Sequence, residues 1–176
     1  MRYKEELIKS MEWLGKKENT LFLGQATLFS GHSISGTLEK VPKEKLIELP
    51  VMEEVQMGMC AGLSLEGYVP ISIYPRFNFM MLSINQLVNH IDTMQRMSKG
   101  MLIPKVIIRV SIGSKKPLDG GAQHTQDFTM ALRHMLQEVK VVDLTEPEII
   151  FYSFKWAYAR EGSTILIEHG DYYSEK

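Results

Sequence analysis

Glu53 is the acidic side chain best placed to do chemistry in this sequence, because it stands at the predicted start of a helix after Pro50. In a cleft that excludes water, a carboxylate forms a strong, charge-assisted hydrogen bond and can hold a proton for a ligand. The alternative is that Glu53 and Glu54 are ordinary acids in the first turn of a surface helix, where the helix dipole favours negative charge.

Two aromatic residues, Phe77 and Phe79, follow a predicted strand that ends at Pro75. Aromatic rings at the end of a strand can stack on a planar ligand. They can equally be core residues that only anchor the chain.

His124 lies in a loop that contains Gly120 and Gly121 and leads into a predicted helix. Histidine is the usual proton-transfer residue near neutral pH, although a single loop histidine can also be structural or solvated. The other four histidines lack such a setting and receive no role: His32, His90, His134 and His169.

Motifs for several other chemistries are absent from the sequence. It has no cysteine pair, no HExxH, no GxGxxG after a strand, no GxxxxGK[ST] and no GxSxG, so no metal ligands are expected on this chain. With 20 basic and 21 acidic residues the net charge is −1. This balance favours neither a nucleic acid nor a membrane surface as a partner.

Hydrophobic patterns predict the elements that position these side chains. Strands are predicted at 20–23, 46–49, 69–74, 106–110, 139–144 and 164–168, and helices at 3–14, after Pro50, and at 80–97, 127–137 and 145–160. The alternation indicates an α/β fold: a mostly parallel central sheet with helices on both faces. Ligands of such sheets bind beyond the carboxyl ends of the strands. Those ends lead into three segments: 25–45, 74–79 and 111–126.

Gly58 and Gly62 lie four residues apart in the helix after Pro50 and therefore on one face. Each costs up to ~1 kcal/mol of helix propensity relative to alanine. This cost predicts a close contact of that face with a second helix or a second subunit.

The length of 176 residues fits one domain, which we assign to 1–172 with a loose tail at 173–176. The only cysteine, Cys60, cannot form an internal disulfide and suits a reducing compartment. The N-terminal residues are too charged for a signal peptide, and no apolar run approaches the ~18 residues of a membrane span. We therefore expect a soluble cytoplasmic protein.

Six short motifs occur in one order along the chain. They are Pro50-Val51-Met52-Glu53, the helix of Gly58 and Gly62, Glu66-Gly67-Tyr68-Val69-Pro70-Ile71, Phe77-Asn78-Phe79, Asn85-Gln86-Leu87-Val88-Asn89 and Gly121-Ala122-Gln123-His124-Thr125-Gln126. From about Tyr3 to about Tyr172 the sequence resembles the pyrimidine-binding domain of the beta subunit of 2-oxo-acid dehydrogenases. That family belongs to the transketolase-like group of thiamine diphosphate enzymes.

The resemblance implies a role for each candidate. In that family the glutamate at the Glu53 position bonds N1′ of the thiamine pyrimidine and promotes the imino form that removes the C2 proton. The aromatic at the Phe79 position packs on the pyrimidine, and we place Phe77 with it as a cofactor-binding residue. The histidine at the His124 position lines the substrate channel and assists proton transfer or acyl-group handling.

The resemblance also implies a partner. The family binds Mg²⁺ and diphosphate through a Gly-Asp-Gly motif, which Gly170-Asp171-Tyr172 does not match. A separate subunit is therefore expected to supply the Mg²⁺-diphosphate half, in an α₂β₂ heterotetramer. The helix of Gly58 and Gly62 would pack against another subunit at its centre.

Three departures from the family pattern leave two functions open. Gly24-Gln25-Ala26 stands where Gly-Glu-Asp is usual, Asn85 stands where aspartate is common, and the C-terminal domain of the family's beta subunits is expected to be missing. One function is an enzyme subunit that acts with its partner on a 2-oxo acid or a ketose, by C–C bond cleavage and acyl, aldehyde or ketol transfer. The alternative is a non-catalytic scaffold or regulatory subunit that retains the fold.

Overall fold

The computed structural model describes residues 2–29, 34–116 and 118–175. His32 and part of the predicted loop 25–45 lie outside the described residues. No helix in the described ranges is both long enough and apolar enough to cross a membrane.

A six-stranded sheet forms the centre of the fold, and all its strand pairs are parallel. The strands are β1 Thr20–Gly24, β2 Leu46–Glu48, β3 Val69–Tyr74, β4 Ile107–Ile112, β5 Lys140–Asp143 and β6 Thr164–His169. They lie in the order β2-β1-β3-β4-β6-β5. The predicted α/β class is confirmed.

Helices and single helical turns connect the strands. The α-helices are α1 Tyr3–Gly15, α2 Glu53–Leu65, α3 Phe77–Met80, α4 Met94–Met97, α5 Gly121–His124, α6 Thr129–Met135, α7 Pro147–Ala159 and α8 Tyr172–Glu175. The 3₁₀ turns are Ser35–Thr37, Lys43–Lys45 and Met81–Ser83, and Gln86–Ile91 is a π-helix.

The sheet separates two hydrophobic clusters, because successive side chains of a strand point to opposite faces. Phe22 belongs to the cluster under α1 and α7, whereas its neighbour Leu23 belongs to the cluster under α2 and α6. Helices therefore cover both faces of the sheet. Cys60 is buried in the second cluster, and burial raises the pKa of its thiol to about 12.

The helix predicted at 80–97 is not continuous, and this part of the prediction is wrong. It divides into a 3₁₀ turn, the π-helix and α4. Asp92, 1% exposed, follows the π-helix, and its carboxylate accepts hydrogen bonds from the backbone N–H groups of Gln137, Glu138 and Val139 at 2.9–3.2 Å. The wider turn thus accompanies an inward-facing aspartate that holds the start of β5.

The tail predicted to be loose from residue 173 is anchored at its first residue. The rings of Tyr172 and Tyr173 lie 5.5 Å and 5.8 Å from the ring of Tyr3, centroid to centroid. The Tyr173 hydroxyl also donates to Glu168. Burial of these rings, which the polar composition of the tail concealed, explains the difference.

Candidate functional site

A cavity of about 330 Å³ lies where β1, β3 and β4 end. Its lining residues come from the segments that follow β1 and β3 and from α5: Gln25, Ala26, Pro75, Arg76, Phe79 and His124. Parallel strands direct their carboxyl ends to one edge of a sheet, so these separate segments meet there. The structure brings Phe79 and His124 together at this cavity.

Glu53 is the first residue of α2 and is only 4% exposed. Its Oε1 accepts a hydrogen bond from Nε2 of Gln25 at 3.1 Å, which links it to the wall of the cavity. Glu54, in contrast, is exposed and accepts a bond from Nδ2 of Asn85 at 2.7 Å. The surface-acid alternative therefore describes Glu54 but not Glu53.

A buried amide fixes the start of α2 on the sheet. Nε2 of Gln56 donates to the carbonyls of Leu23 and Ile73 at 3.3 and 3.0 Å, and to Oγ of Ser72 at 3.0 Å. Because these groups belong to β1 and β3, the bonds set Glu53, three residues earlier, relative to both strands. Its position is thus a property of the sheet rather than of a flexible loop.

Glu48 holds the turn that carries Gln25. Its carboxylate accepts bonds from the backbone N–H groups of Ala26, Thr27 and Leu28 at 2.6–3.0 Å, and from the Thr27 hydroxyl at 2.9 Å. Burial raises the pKa of Glu48, but these hydrogen bonds outweigh it and the net shift is downward. Ala26 adopts a left-handed conformation with φ of 51°, which is unfavourable for a residue with a Cβ atom.

The rings of Phe79 and His124 contact each other, with centroids 5.5 Å apart and planes at 65°. Nδ1 of His124 lies 3.2 Å from Oδ1 of Asn78. Since that oxygen can only accept, Nδ1 carries the hydrogen, and a neutral ring then keeps Nε2 as an acceptor. The pair therefore offers an aromatic surface beside a group that can receive a proton.

The backbone of His124 approaches β4 closely. Its carbonyl accepts a bond from the Gly113 N–H at 3.0 Å, and a Cβ atom added to Gly113 would lie 2.1 Å from that oxygen. Asp171 fixes the same loop, since its Oδ1 accepts bonds from the N–H groups of Lys115 and Lys116 at 2.6 and 3.0 Å.

Phe77 lies away from the cavity wall. Its ring is 0% exposed and meets the ring of Phe128 edge-on, with centroids 5.5 Å apart. The structure therefore brings Glu53, Phe79 and His124 to one region and places Phe77 in the hydrophobic cluster behind it.

Sequence reasoning missed three residues of this region: Glu48, Arg76 and Asn78. Arg76 and Asn78 stand beside the two phenylalanines, so their position after β3 was the available signal. Glu48 carried no such signal, because its role depends on the backbone of a turn more than 20 residues away.

The face of α2 that contains Gly62 is open. A Cβ atom added there would meet nothing within 4 Å, whereas one added to Gly58 would lie 3.6 Å from Gln86. Val55 and Met59, at helical spacing from Gly62, are 46% and 39% exposed. Gly58 thus packs within the chain, and the Gly62 face leaves an apolar surface uncovered.

The family model described as "Transketolase, pyrimidine binding domain" matches residues 5–174. The chain belongs to this family. Among the described residues, no group of three or more His, Cys, Asp or Glu side chains is placed to hold a metal ion.

Relatives of the chain include beta subunits of the pyruvate dehydrogenase E1 component. The mitochondrial subunit of Saccharomyces cerevisiae is 29% identical over 133 residues, which is 73% of this chain and 36% of the relative. The Rattus norvegicus subunit is 26% identical over 161 residues, 90% of this chain and 44% of the relative. The chain thus matches less than half the length of these relatives.

A solved structure described as "Split gene transketolase, inactive beta4 tetramer" superposes with a TM-score of 0.73 at 20% sequence identity. The match covers 96% of this chain and 51% of that one. At this identity the likeness supports the transketolase-like fold and nothing finer.

Proposed function

We propose that this chain is the pyrimidine-side subunit of a split thiamine diphosphate-dependent enzyme that acts on a 2-oxo acid or a ketose. The reaction class would be C–C bond cleavage with acyl, aldehyde or ketol transfer. The observation that carries the proposal is Glu53, a carboxylate 4% exposed and bonded to the cavity wall through Gln25.

The residues at the cavity fit the pyrimidine half of this cofactor. When bound, thiamine diphosphate supplies an electron sink for breaking a bond next to a carbonyl. Glu53 would share a proton with N1′ of the pyrimidine, in a poorly hydrated position where one charge-assisted bond is strong.

The two rings beside the cavity have separate roles in this proposal. Phe79 would pack on the pyrimidine, and His124, held by Asn78, would exchange a proton with the substrate. Phe77 would support this wall from behind, because its fully buried ring has no surface left for a ligand.

A partner subunit would supply the other half of the cofactor site, including the ligands of Mg²⁺. The uncovered apolar face around Gly62 supports self-association through α2, and we propose an α₂β₂ heterotetramer. The cytoplasmic location of this chain stays a prediction. The names of several relatives describe those proteins as mitochondrial.

A non-catalytic scaffold or regulatory subunit is the second candidate function. Gln25 bonds Glu53 where the family pattern has an acid, and Asn85 stands where the family commonly has aspartate. These two observations favour a chain that keeps the fold without the chemistry.

Purification of the tagged chain from its source, followed by titration with thiamine diphosphate, separates the two functions. We expect a second subunit in about equal amount and saturable cofactor binding that requires both subunits together with Mg²⁺. Each subunit alone is the control and should bind weakly, because each holds half a site. A stable complex that does not bind thiamine diphosphate would support the scaffold.

A further inference from the structure

Arg76 presents a cation to the cavity beside His124. It follows β3, lines the cavity and is partly buried. Its Nη1 donates to the carbonyl of Pro75 at 2.8 Å. A guanidinium group has five N–H donors in a planar fork, so this single bond leaves most of its capacity for a ligand.

No carboxylate among the described residues forms an ion pair with Arg76. Two other arginines, Arg109 and Arg96, do have carboxylate partners. Arg109 is fully buried and bonds Glu168 at 2.6 and 3.0 Å, and Arg96 lies 3.7 Å from Asp92. An arginine that lines a cavity without a carboxylate partner is suited to an anionic ligand.

Gly113 brings this cation close to the candidate proton-transfer residue. A Cβ atom added to Gly113 would lie 2.1 Å from the carbonyl oxygen of His124 and 3.3 Å from Cδ of Arg76. The stem of Arg76 and the backbone of His124 therefore both lie close to the same glycine. A small substrate in this cavity can reach both side chains.

We propose that Arg76 binds the anionic group of the substrate, a carboxylate or a phosphate, while the substrate's carbonyl is processed beside His124. The proposal rests on the proposed function and narrows it to substrates that carry such an anionic group in addition to the reacting carbonyl. Both groups present planar or tetrahedral oxygens that a guanidinium binds in a bidentate manner.

Substrate kinetics of the assembled complex test the proposal. Fructose 6-phosphate and fructose serve as the pair of turnover substrates that differ in charge. Pyruvate is assayed as the anionic 2-oxo acid, and methyl pyruvate, which cannot lose CO2, serves as its uncharged counterpart in equilibrium binding only. Loss of a charged hydrogen bond costs about 1.5–3 kcal/mol, so Arg76→Ala should raise KM for the anionic substrate about 10- to 100-fold. The kcat/KM for fructose should stay within about twofold.

Two further variants control for charge and for general damage. Arg76→Lys keeps the charge but loses the bidentate fork, so its KM should fall between those of the wild type and Arg76→Ala. Arg133→Ala removes an exposed arginine whose described contact is with Sδ of Met130 at 3.9 Å, and it should leave KM unchanged. The anionic substrate whose KM rises in Arg76→Ala shows whether Arg76 binds a carboxylate or a phosphate.

Equilibrium binding separates failure of this inference from failure of the proposed function. Calorimetric titration of the complex with pyruvate and with inorganic phosphate needs no turnover, and thiamine diphosphate is titrated in parallel. Binding of one anion that Arg76→Ala abolishes supports the inference, even if the cofactor does not bind and the proposed function fails. Anion binding or KM that is equal in wild type and Arg76→Ala, or absence of anion binding in both, would overturn it.

Discussion

Glu53 and Glu168 are both buried carboxylates near the carboxyl ends of the strands, yet the chain holds them in opposite ways. Glu168 is 0% exposed and accepts bonds from Nε and Nη2 of Arg109 at 2.6 and 3.0 Å, and from the Tyr173 hydroxyl. In the described part of the chain, the side chain that bonds the Glu53 carboxylate is the neutral amide of Gln25.

The difference concerns what each carboxylate can still do. At Glu168 the guanidinium of Arg109 compensates the negative charge. Burial lowers the pKa of Arg109, but the charge and hydrogen bonds of Glu168 help to turn the net shift upward. Burial, and then the charge of Glu168, raise the pKa of Tyr173. No cation among the described residues pairs with Glu53, so this carboxylate retains a capacity for a ligand that Glu168 has used.

Glu53→Gln should abolish most of the activity and leave the fold intact. Loss of a positioned acid–base group typically lowers the rate by about 10²–10⁴-fold, and glutamine keeps the volume of the side chain. Turnover of the reconstituted complex measures the effect, and circular dichroism checks folding. Glu54→Gln, at the exposed neighbour, is the matched control and should keep its activity. Near-normal turnover of Glu53→Gln would contradict the catalytic role that distinguishes Glu53 from the structural Glu168.

Glu168→Gln should have the reverse effect, with a large loss of stability. Removal of one partner of a buried ion pair costs about 3–5 kcal/mol, because the other charge is left uncompensated. Urea unfolding measures the cost, and Glu161→Gln, at an exposed acid, is the control. The catalytic rate per folded molecule of the Glu168→Gln variant should equal that of the wild type. A loss below about 1 kcal/mol would mean that the Arg109 pair is not a structural element.

Gln25→Ala should lower turnover about tenfold, the cost of one hydrogen bond to a charged acceptor. Without this amide, the Glu53 carboxylate loses its described side-chain donor. A double-mutant cycle with Glu53→Gln provides the check, because a residue that acts through Glu53 should have no further effect once Glu53 is changed. Additive losses would indicate that Gln25 contacts the ligand independently.

Glu48→Gln should destabilise the chain by about 1 kcal/mol near neutral pH, since glutamine cannot accept every bond from the turn. The pKa of Glu48 is lowered in the folded state, so its contribution is present above the unfolded value of about 4.3 and is lost as the pH falls through the folded value. Urea midpoints at pH 7 and in acid test this sign. The difference from wild type should shrink in acid, whereas the exposed control Glu44→Gln should show little pH dependence.

Most of the fold was predictable from local patterns. β3 was predicted at the bounds that the structure has, because its alternation and the proline that follows it are local signals. The segment 80–97 was not, because it contains a π-helix followed by Asp92, whose hydrogen-bond partners lie 45 residues or more along the chain. The helical period of the hydrophobic residues gives no information about hydrogen bonds to such distant residues.

The site was predictable where it depends on residue type at the end of a strand. This rule made Phe79 and His124 candidates, and the resemblance gave them, with Glu53, the roles that stay predictions. Glu48 was not predictable, because its partners are backbone N–H groups, which look the same in every sequence.

The bond from Asp171 to the loop before His124 has a consequence for the order in which the site is completed during synthesis. Asp171 lies 56 positions after Lys115, whose N–H it binds, and the Gly170 N–H bonds the carbonyl of Ile112 at 2.8 Å. A growing chain can therefore position Glu53 in α2 and Phe79 in α3 before Asp171 is available to bind the loop that precedes His124. The bonds that Gly170 and Asp171 make to this segment can form only after the ribosome has released β6 and the residues after it.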